Sequence, residues 1–236
     1  MLTVDYKVPD GSGSFTSSNK KLLLAEKALA NCPYFPFTEV SGERNISGES
    51  NPVKDCNYKY SEVRAFLNGY DYVNPDNTTN TIHNGKGFLQ KAFTETARAK
   101  IAETKVDNSA ASTSDAGTNL KTSDYYCDNT QDKVFLLSEK EVTTTEYGFK
   151  EYNILDANRS RISTDYAKGT GVKVYSAAGN SPFWLRSPGE NVQIVLSVDG
   201  NGNNVTNGSA DPTKPYYSKS YGSDKEIAVV PALVIQ

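Results

Sequence analysis

The segment FWLRSPG at residues 183–189 carries the clearest indication of the fold. In a β-strand, successive side chains point to opposite faces of the sheet, which would place Trp184 and Arg186 next to each other on one face. Pro188 followed by Gly189 favours a type II turn, because proline presets φ and glycine tolerates a positive φ. The segment therefore predicts a strand that ends in a tight turn.

Two interpretations of Trp184 and Arg186 stay open. An indole beside a guanidinium can bind planar or anionic groups, which makes both residues candidates for ligand binding. The alternative, which we favour, is a core indole beside an arginine that is paired with a carboxylate. Arg64 has the same ambiguity, and there too we favour a structural ion pair. The candidate carboxylate partners are Asp132, Glu139 and Glu141.

The residues on the C-terminal side of this segment are predicted to form β-structure. Apolar and mostly polar residues alternate over 192–198, the dipeptide DG at 199–200 predicts a hairpin turn, and Val205 would begin the return strand. The final run, 227–235, is apolar but contains Pro231. Because proline cannot donate a ladder hydrogen bond, this run is expected at a sheet edge or at a bulge.

On the N-terminal side, several helices have recognisable ends. Ser61 is a predicted N-cap and Gly69 a predicted C-terminal stop. Apolar residues recur every four positions from Leu89 to Ile101, which predicts one amphipathic helix. The sequence SEKE at 138–141 has the spacing of a capping box, and a further short helix is predicted over 164–168.

The domain organisation is predicted to be simple. Residues 10–19 are rich in Gly and Ser, so 1–20 are expected to be a flexible lead-in to a single domain over 21–236. The apolar run at 21–30 fits either a strand that leads into a helix or a helix throughout. The polar stretch at 107–126 predicts a long loop, which is unusual inside a domain and therefore a candidate functional loop.

Composition excludes some classes of function. The net charge is −3 and no run of Lys or Arg forms the basic stripe that a phosphate backbone requires, so nucleic acid is not expected as a partner. The longest apolar runs are far shorter than the about 20 residues of a membrane span. The first residues lack the features of a secretory signal, so an exposed location would depend either on an export feature outside this sequence or on another route, for example on a phage particle.

Few residues are suited to catalysis or metal binding. The single histidine, His83, lies in a polar stretch and is expected to be solvated. Cys32, Cys56 and Cys127 match no metal or redox spacing and are predicted to be free thiols rather than a Cys32–Cys56 disulfide. The sequence DGNGN at 199–203 has alternating oxygen ligands but lacks the downstream glutamate of a calcium loop. No catalytic residue, metal or cofactor is therefore predicted.

Four motifs together resemble a known protein family. They are YSEVRAFLN at 60–68, DKVFLLS at 132–138, FWLRSPG at 183–189 and VPAL at 230–233. In this order they resemble an uncharacterised domain family of bacterial surface proteins and some phage proteins, and the resemblance extends from about residue 21 to the C-terminus. That family is in turn similar to the C-type-lectin fold in its formylglycine-generating-enzyme form.

This resemblance implies an α+β fold in which two main helices flank a small twisted antiparallel sheet, with long loops that carry the function. The sequence AVVP at 228–231 stands where the family has Gly-Val-Arg-Pro, so a role of that arginine cannot be transferred. The catalytic relatives use a cysteine pair in their C-terminal part, whereas no cysteine follows Cys127 in this chain. A formylglycine-generating-like oxidase is therefore the least favoured function.

A tyrosine-rich segment is the main candidate for ligand contact. Tyr216, Tyr217 and Tyr221 lie among Ser, Gly, Lys and Asn within 207–224. This composition is typical of binding loops, where tyrosine supplies contact area at a low entropic cost, and it fits an ordinary tyrosine-rich surface loop equally well. We expect a non-catalytic extracellular or phage-borne domain that recognises a glycan, protein or cell-surface ligand. The alternative is an assembly component of a phage tail or cell surface, for which self-association would be the interaction.

Overall fold

Two β-sheets and a set of short helices organise the chain in this computed structural model. The structure describes residues 2–35, 42–74, 76–113, 125–151, 156–175, 179–189, 192, 194–200, 217–221 and 226–236. For Leu2 and for 217–221 it describes the backbone only. The mixture of helix and strand agrees with the predicted α+β class.

The strands of the described residues are mostly short. They are β1 (Leu2–Pro9), β2 (Phe15–Leu24), β3 (Lys27–Ala28), β4 (Ala30–Asn31), β5 (Glu43–Arg44), β6 (Val53–Lys54), β7 (Tyr72–Val73), β8 (Thr79–Asn80), β9 (Thr104–Val106), β10 (Thr130–Asp132), β11 (Val134–Phe135), β12 (Ile162–Ser163), β13 (Phe183–Pro188), β14 (Ile194–Val198), β15 (Tyr217–Tyr221), β16 (Ala228–Val229) and β17 (Ala232–Ile235).

The helices are also short. They are α1 (Glu62–Asn68), α2 (Phe88–Ala92), α3 (Glu95–Lys100), α4 (Ala110–Thr113), α5 (Glu139–Val142) and α6 (Asp165–Gly169), and single 3₁₀ turns cover Tyr58–Tyr60, Thr145–Tyr147 and Ala157–Arg159. None of the helices in the described part of the chain has the length and apolar character that crossing a bilayer requires.

The first sheet joins the two ends of the chain. Its strand order is β1-β2-β17-β11, and each neighbouring pair is antiparallel. In β2, Leu22 and Leu24 are buried and lie opposite Val234 and Ala232 of β17. The predicted flexible lead-in is therefore wrong for the described residues of 1–20, which form β1 and the start of β2. Backbone pairing and apolar side chains hold this hairpin on the core.

The second sheet has the order β15-β14-β13-β16-β4, in which only β13 and β16 run parallel. Every residue of β13 and β14 is buried, as expected for the central strands of a covered sheet. A shift of register between Trp184 and Pro188 interrupts the pairing of β13 with β14. There the Arg186 N–H donates to the carbonyl of Leu137 at 3.0 Å instead. The pairing is irregular at the very residues for which a plain strand is predicted.

The C-terminal run belongs to both sheets. β16 lies between β13 and β4, while β17 lies between β2 and β11, so neither strand is at an edge as predicted for this run. Pro231 falls between the two strands and its carbonyl accepts a hydrogen bond from Ala25 N–H at 3.0 Å. Its missing N–H therefore costs no ladder hydrogen bond, because the chain changes sheet at this position.

Two predicted helix termini are confirmed and one predicted helix is divided. Ser61 caps α1 by accepting from Arg64 N–H, and Gly69 ends it in the left-handed conformation at φ 76°. The predicted helix from Leu89 to Ile101 is instead α2 and α3, because Phe93 is extended (φ −130°) and Thr94 caps a new helix. Over 138–141 the predicted capping box is present in α5. The buried apolar side chains of both sheets and of α1 form one continuous core.

Candidate functional site

The Trp184 side chain is part of the core. Its indole is fully buried, donates from Nε1 to the carbonyl of Cys32 at 3.0 Å, and meets the ring of Tyr34 edge-on with centroids 5.7 Å apart. An indole that is enclosed and hydrogen-bonded in this way offers no face to a ligand. The expectation that Trp184 contacts a ligand is corrected accordingly, and the core interpretation applies.

Arg186 is buried in an ion pair. Its guanidinium contacts both carboxylate oxygens of Glu141, with Nη2 to Oε1 at 3.1 Å, and Nη1 donates to the Leu136 carbonyl at 2.9 Å. Burial lowers the pKa of Arg186, but the charge and hydrogen bonds of Glu141 raise this pKa by more than burial lowers it. The guanidinium therefore stays charged. Because the side chain is buried and both Nη groups are hydrogen-bonded internally, Arg186 is not available as the predicted ligand-binding residue.

Arg64 forms the structural ion pair that we favoured from the sequence. Its Nε donates to Oδ1 of Asp132 at 2.9 Å and to Oδ2 at 3.1 Å, and the Asp132 carboxylate is fully buried. Thr130 donates its hydroxyl to the same carboxylate at 2.6 Å. This pair joins α1 to β10 and holds the helix against the core.

Two of the three predicted binding tyrosines belong to a described strand of the second sheet. Tyr216 and the predicted return at Val205 lie outside the described residues, whereas Tyr217 and Tyr221 are the ends of β15. The register places Tyr217 opposite Val198 and Tyr221 opposite Ile194. Among the described strands, β15 is the last strand of its sheet. The structure therefore puts this backbone at a sheet border.

A polar groove lies next to the 3₁₀ turn over 58–60. It has a volume of about 560 Å³. Its lining residues are Glu49, Ser50, Asn51, Pro52, Val53, Lys54, Asn57, Tyr60, Tyr126, Cys127 and Asp128. Carboxylates, amides and phenol groups predominate, so the groove offers many hydrogen-bond partners and little apolar surface.

The charged groups of the groove hold each other in place. Lys59 Nζ lies 3.2 Å from Oε1 of Glu49 and 3.0 Å from Oδ2 of Asp128, and Tyr60 donates its hydroxyl to Glu49. The hydrogen bonds from Tyr60 and Lys59 lower the pKa of Glu49. Burial and the hydrogen bond to Glu49 raise the pKa of Tyr60 to about 12. At neutral pH the groove therefore presents a neutral phenol between ion-paired groups.

Two thiols lie at the inner side of this groove. Cys127 is one of its lining residues and accepts a hydrogen bond from Lys59 N–H at 3.4 Å, while the buried Cys56 lies close enough to it for the two thiols to interact electrostatically. Burial raises the pKa of Cys127 to about 11 and also raises that of Cys56. All three cysteines are free, as predicted. Both thiols are therefore protonated at neutral pH, and a protonated thiol is a weak nucleophile.

A second group of reactive side chains surrounds His83. Its Nε2 lies 3.1 Å from Oε1 of Glu62, and its ring is held between Phe66 and Tyr72 at centroid distances of 5.6 and 5.8 Å. The His83 side chain is only 13% exposed, so the expectation of a solvated histidine is wrong. The thiol of Cys32 completes a cluster in which one donor atom of each of Cys32, Glu62 and His83 lies within 4.8 Å of the others.

The loop that carries His83 is fixed against α1. Gly85 N–H donates to the carbonyl of Gly69 at 3.0 Å. At Gly87 a Cβ would lie 2.3 Å from the Gly69 nitrogen and 2.5 Å from the Phe66 carbonyl oxygen, so only glycine allows this approach. The position of His83 beside Glu62 is therefore set by backbone contacts and not by the side chains alone.

No motif in the sequence pointed to this cluster. Cys32 follows β4, Glu62 is the first residue of α1, and His83 lies in the loop before α2. Separations of 30 and 21 residues match no metal motif. The one available signal was that the single histidine precedes two closely spaced glycines, Gly85 and Gly87, which indicate a tight backbone approach.

Comparison with known proteins gives a family but no characterised relative. The model of a protein family of unknown function matches residues 18–236. No curated protein and no solved structure gives a significant match.

Proposed function

Because the chain belongs to the DUF6273 family, described as a domain of unknown function, we propose its function from the geometry of its sites. It is a non-catalytic domain that binds a polar ligand of the glycan class. The observation that carries this proposal is the polar groove beside Tyr60. Its volume of about 560 Å³ lies within the about 300–1,000 Å³ typical of small-ligand sites.

The chemistry of the groove supports a hydroxyl-rich ligand. Most small-ligand pockets are lined by apolar side chains, whereas here the Asn51 amide and the carboxylates of Glu49 and Asp128 are exposed beside two tyrosines. Amides and carboxylates hydrogen-bond to hydroxyl groups, and phenol rings can stack on the C–H face of a sugar. The ion pairs of Lys59 with Glu49 and Asp128 keep these groups in position before a ligand arrives.

We further propose that Tyr216, Tyr217 and Tyr221 form a second contact surface. The position of β15 supports this, since among the described strands it is the last of its sheet and pairs along one side only. A C-type-lectin-like arrangement and a location on a bacterial surface or phage particle complete the proposal. They rest on the four sequence motifs, with the mixed α+β content as support.

The test is a printed glycan array probed with the labelled chain. We expect a defined set of glycans to bind, and the double variant Asn51→Ala with Asp128→Ala to lose at least tenfold in affinity. Both side chains are exposed on the groove, so the melting temperature should stay nearly constant. Glu151→Ala removes an exposed carboxylate that does not line the groove and is the matched control.

The triple variant Tyr216→Ala, Tyr217→Ala, Tyr221→Ala separates the two surfaces. If the triple variant abolishes binding and the double groove variant does not, the ligand lies on the tyrosine segment and the groove assignment is overturned. If the unmodified chain binds no glycan on the array, the glycan class itself is rejected.

An assembly component is the second candidate function. Its support is again β15, the last of the described strands in its sheet, because a strand at a sheet edge can pair with a strand of another copy. Sedimentation equilibrium at increasing concentration tests it: a chain that self-assembles shifts to dimers or larger species, whereas a monomer at high concentration excludes this role.

A further inference from the structure

We propose that Cys32, Glu62 and His83 form a binding site for a transition-metal ion of the zinc class. None of the three residues lines the groove proposed to bind a glycan, so this site is independent of the proposed function. The site would provide one thiolate, one carboxylate oxygen and one imidazole nitrogen, and it would leave a fourth position for water.

The distances suit a small metal ion. The three donor atoms lie within 4.8 Å of one another, and the Glu62 and His83 atoms are already 3.1 Å apart. Zinc bonds of about 2.0–2.3 Å in tetrahedral geometry place neighbouring ligand atoms about 3.3–3.8 Å apart. A movement of about 1 Å by the Cys32 thiol, through rotation of its side chain, is therefore enough to complete the site.

The donor set selects the kind of ion. Sulfur and imidazole nitrogen favour zinc, cobalt and related ions, whereas calcium and magnesium require oxygen ligands. Sites with three protein ligands and one open position are typical of zinc that binds water or substrate, and structural zinc is usually held by four protein ligands. The cluster at His83, with three protein ligands, therefore fits a zinc-class site with one open position better than a structural site.

The surroundings hold each ligand in place. The carbonyl of Cys32 accepts from Trp184 Nε1 at 3.0 Å, which anchors the backbone next to the thiol. Tyr72 hydrogen-bonds to Glu62 and thus orients the carboxylate from outside the proposed coordination sphere. Outer hydrogen bonds of this kind commonly orient metal ligands. The backbone approach at Gly87 fixes the loop of His83.

Cobalt(II) is the probe for the first measurement. The chain, freed of metal with a chelator, is titrated with Co²⁺ and followed by absorption spectroscopy. We expect one equivalent to produce visible bands of four-coordinate cobalt and a near-ultraviolet thiolate-to-cobalt band, and one equivalent of Zn²⁺ to remove both. Elemental analysis of the dialysed zinc form should give one zinc per chain.

Variants identify the ligands. His83→Gln should weaken cobalt binding at least tenfold, and Cys32→Ser should remove the thiolate band. Cys56→Ser and Cys127→Ser are the matched controls and should leave the spectrum unchanged. Zn²⁺ should raise the melting temperature of the unmodified chain but not that of His83→Gln, because a ligand stabilises only a fold that binds it.

Two results would overturn the assignment. One is the lack of stoichiometric Co²⁺ or Zn²⁺ binding by the unmodified chain. The other is a thiolate band that persists in Cys32→Ser and disappears in Cys56→Ser or Cys127→Ser, which would place the metal at the groove thiols. Because the His83 side chain is partly exposed, we expect His83→Gln to fold, which circular dichroism can verify. The test therefore stays decisive even if one of the cysteine variants does not fold.

Discussion

Arg186 is a candidate ligand-binding residue in the sequence, but in the structure its side chain is buried in an ion pair. Its guanidinium and the Glu141 carboxylate are 1% and 2% exposed, and Ser138 N–H also donates to Glu141 at 2.8 Å. Removing one partner of a buried pair leaves the other charge without compensation, which typically costs about 3–5 kcal/mol. The pair therefore constrains how β13 and α5 can pack.

We expect Glu141→Leu to lower the free energy of unfolding by about 3–5 kcal/mol because Arg186 would remain charged in the core. Urea unfolding followed by circular dichroism measures this change. The double variant Glu141→Leu with Arg186→Met is the control and should recover part of the loss, since no charge is then buried alone. If Glu141→Leu alone lowers the free energy of unfolding by less than about 1 kcal/mol, the buried ion pair does not have the expected weight.

At the scale of elements, the joint between α1 and α2 depends on close backbone contact. The loop before α2 passes the end of α1 at Gly87, where no Cβ fits beside Gly69. By contrast, a Cβ at Gly169 in α6 would meet no atom within 4 Å. Both glycines have an ordinary negative φ, so space alone distinguishes them.

Gly87→Ala is therefore expected to destabilise the chain by about 1–3 kcal/mol through overpacking. Gly169→Ala is the matched control and should be neutral or slightly stabilising, because alanine is the better helix former. Thermal unfolding compares the two. In addition, Gly87→Ala should weaken Co²⁺ binding if the loop positions His83, and equal melting temperatures for both variants would argue against the close approach.

The division of the predicted helix over 89–101 belongs to the same scale. A spacing of four residues marks one apolar face, but two consecutive helices with similar axes can share it. Thr94 accepts a hydrogen bond from Ala97 N–H, which starts α3 anew. Periodicity identified the helical character of this region, whereas the position of the break depended on the local competition between a cap and a continuous helix.

At the scale of the whole molecule, the N-terminal hairpin is a part of the core. Tyr6 of β1 is 4% exposed, and the Tyr147 hydroxyl donates to the carbonyl of Lys7 at 2.6 Å. Because β2 lies between β1 and β17, removal of β1 exposes one side of the strand that holds the C-terminus. The hairpin thus contributes to the stability of both ends of the chain.

A variant that starts at Ser18, where the family match begins, should lose about 3 kcal/mol or more of its free energy of unfolding. Tyr6→Ala tests the main apolar contact alone and should cost about 3 kcal/mol. Urea unfolding of both variants against the full chain is the measurement. An unchanged midpoint for the shortened variant would show that β1 adds nothing to the core.

The sequence by itself determined features whose partners lie within a few residues of each other. These are the cap and stop of α1, the capping box of α5 and the extended character of 183–188. Only the tertiary structure decided that 227–235 occupies the middle of two sheets, that β1 and β2 pair, and that Cys32, Glu62 and His83 meet. Capping and alternation act through neighbouring backbone groups and are visible locally, whereas strand order and side-chain clusters depend on which distant surfaces bury each other.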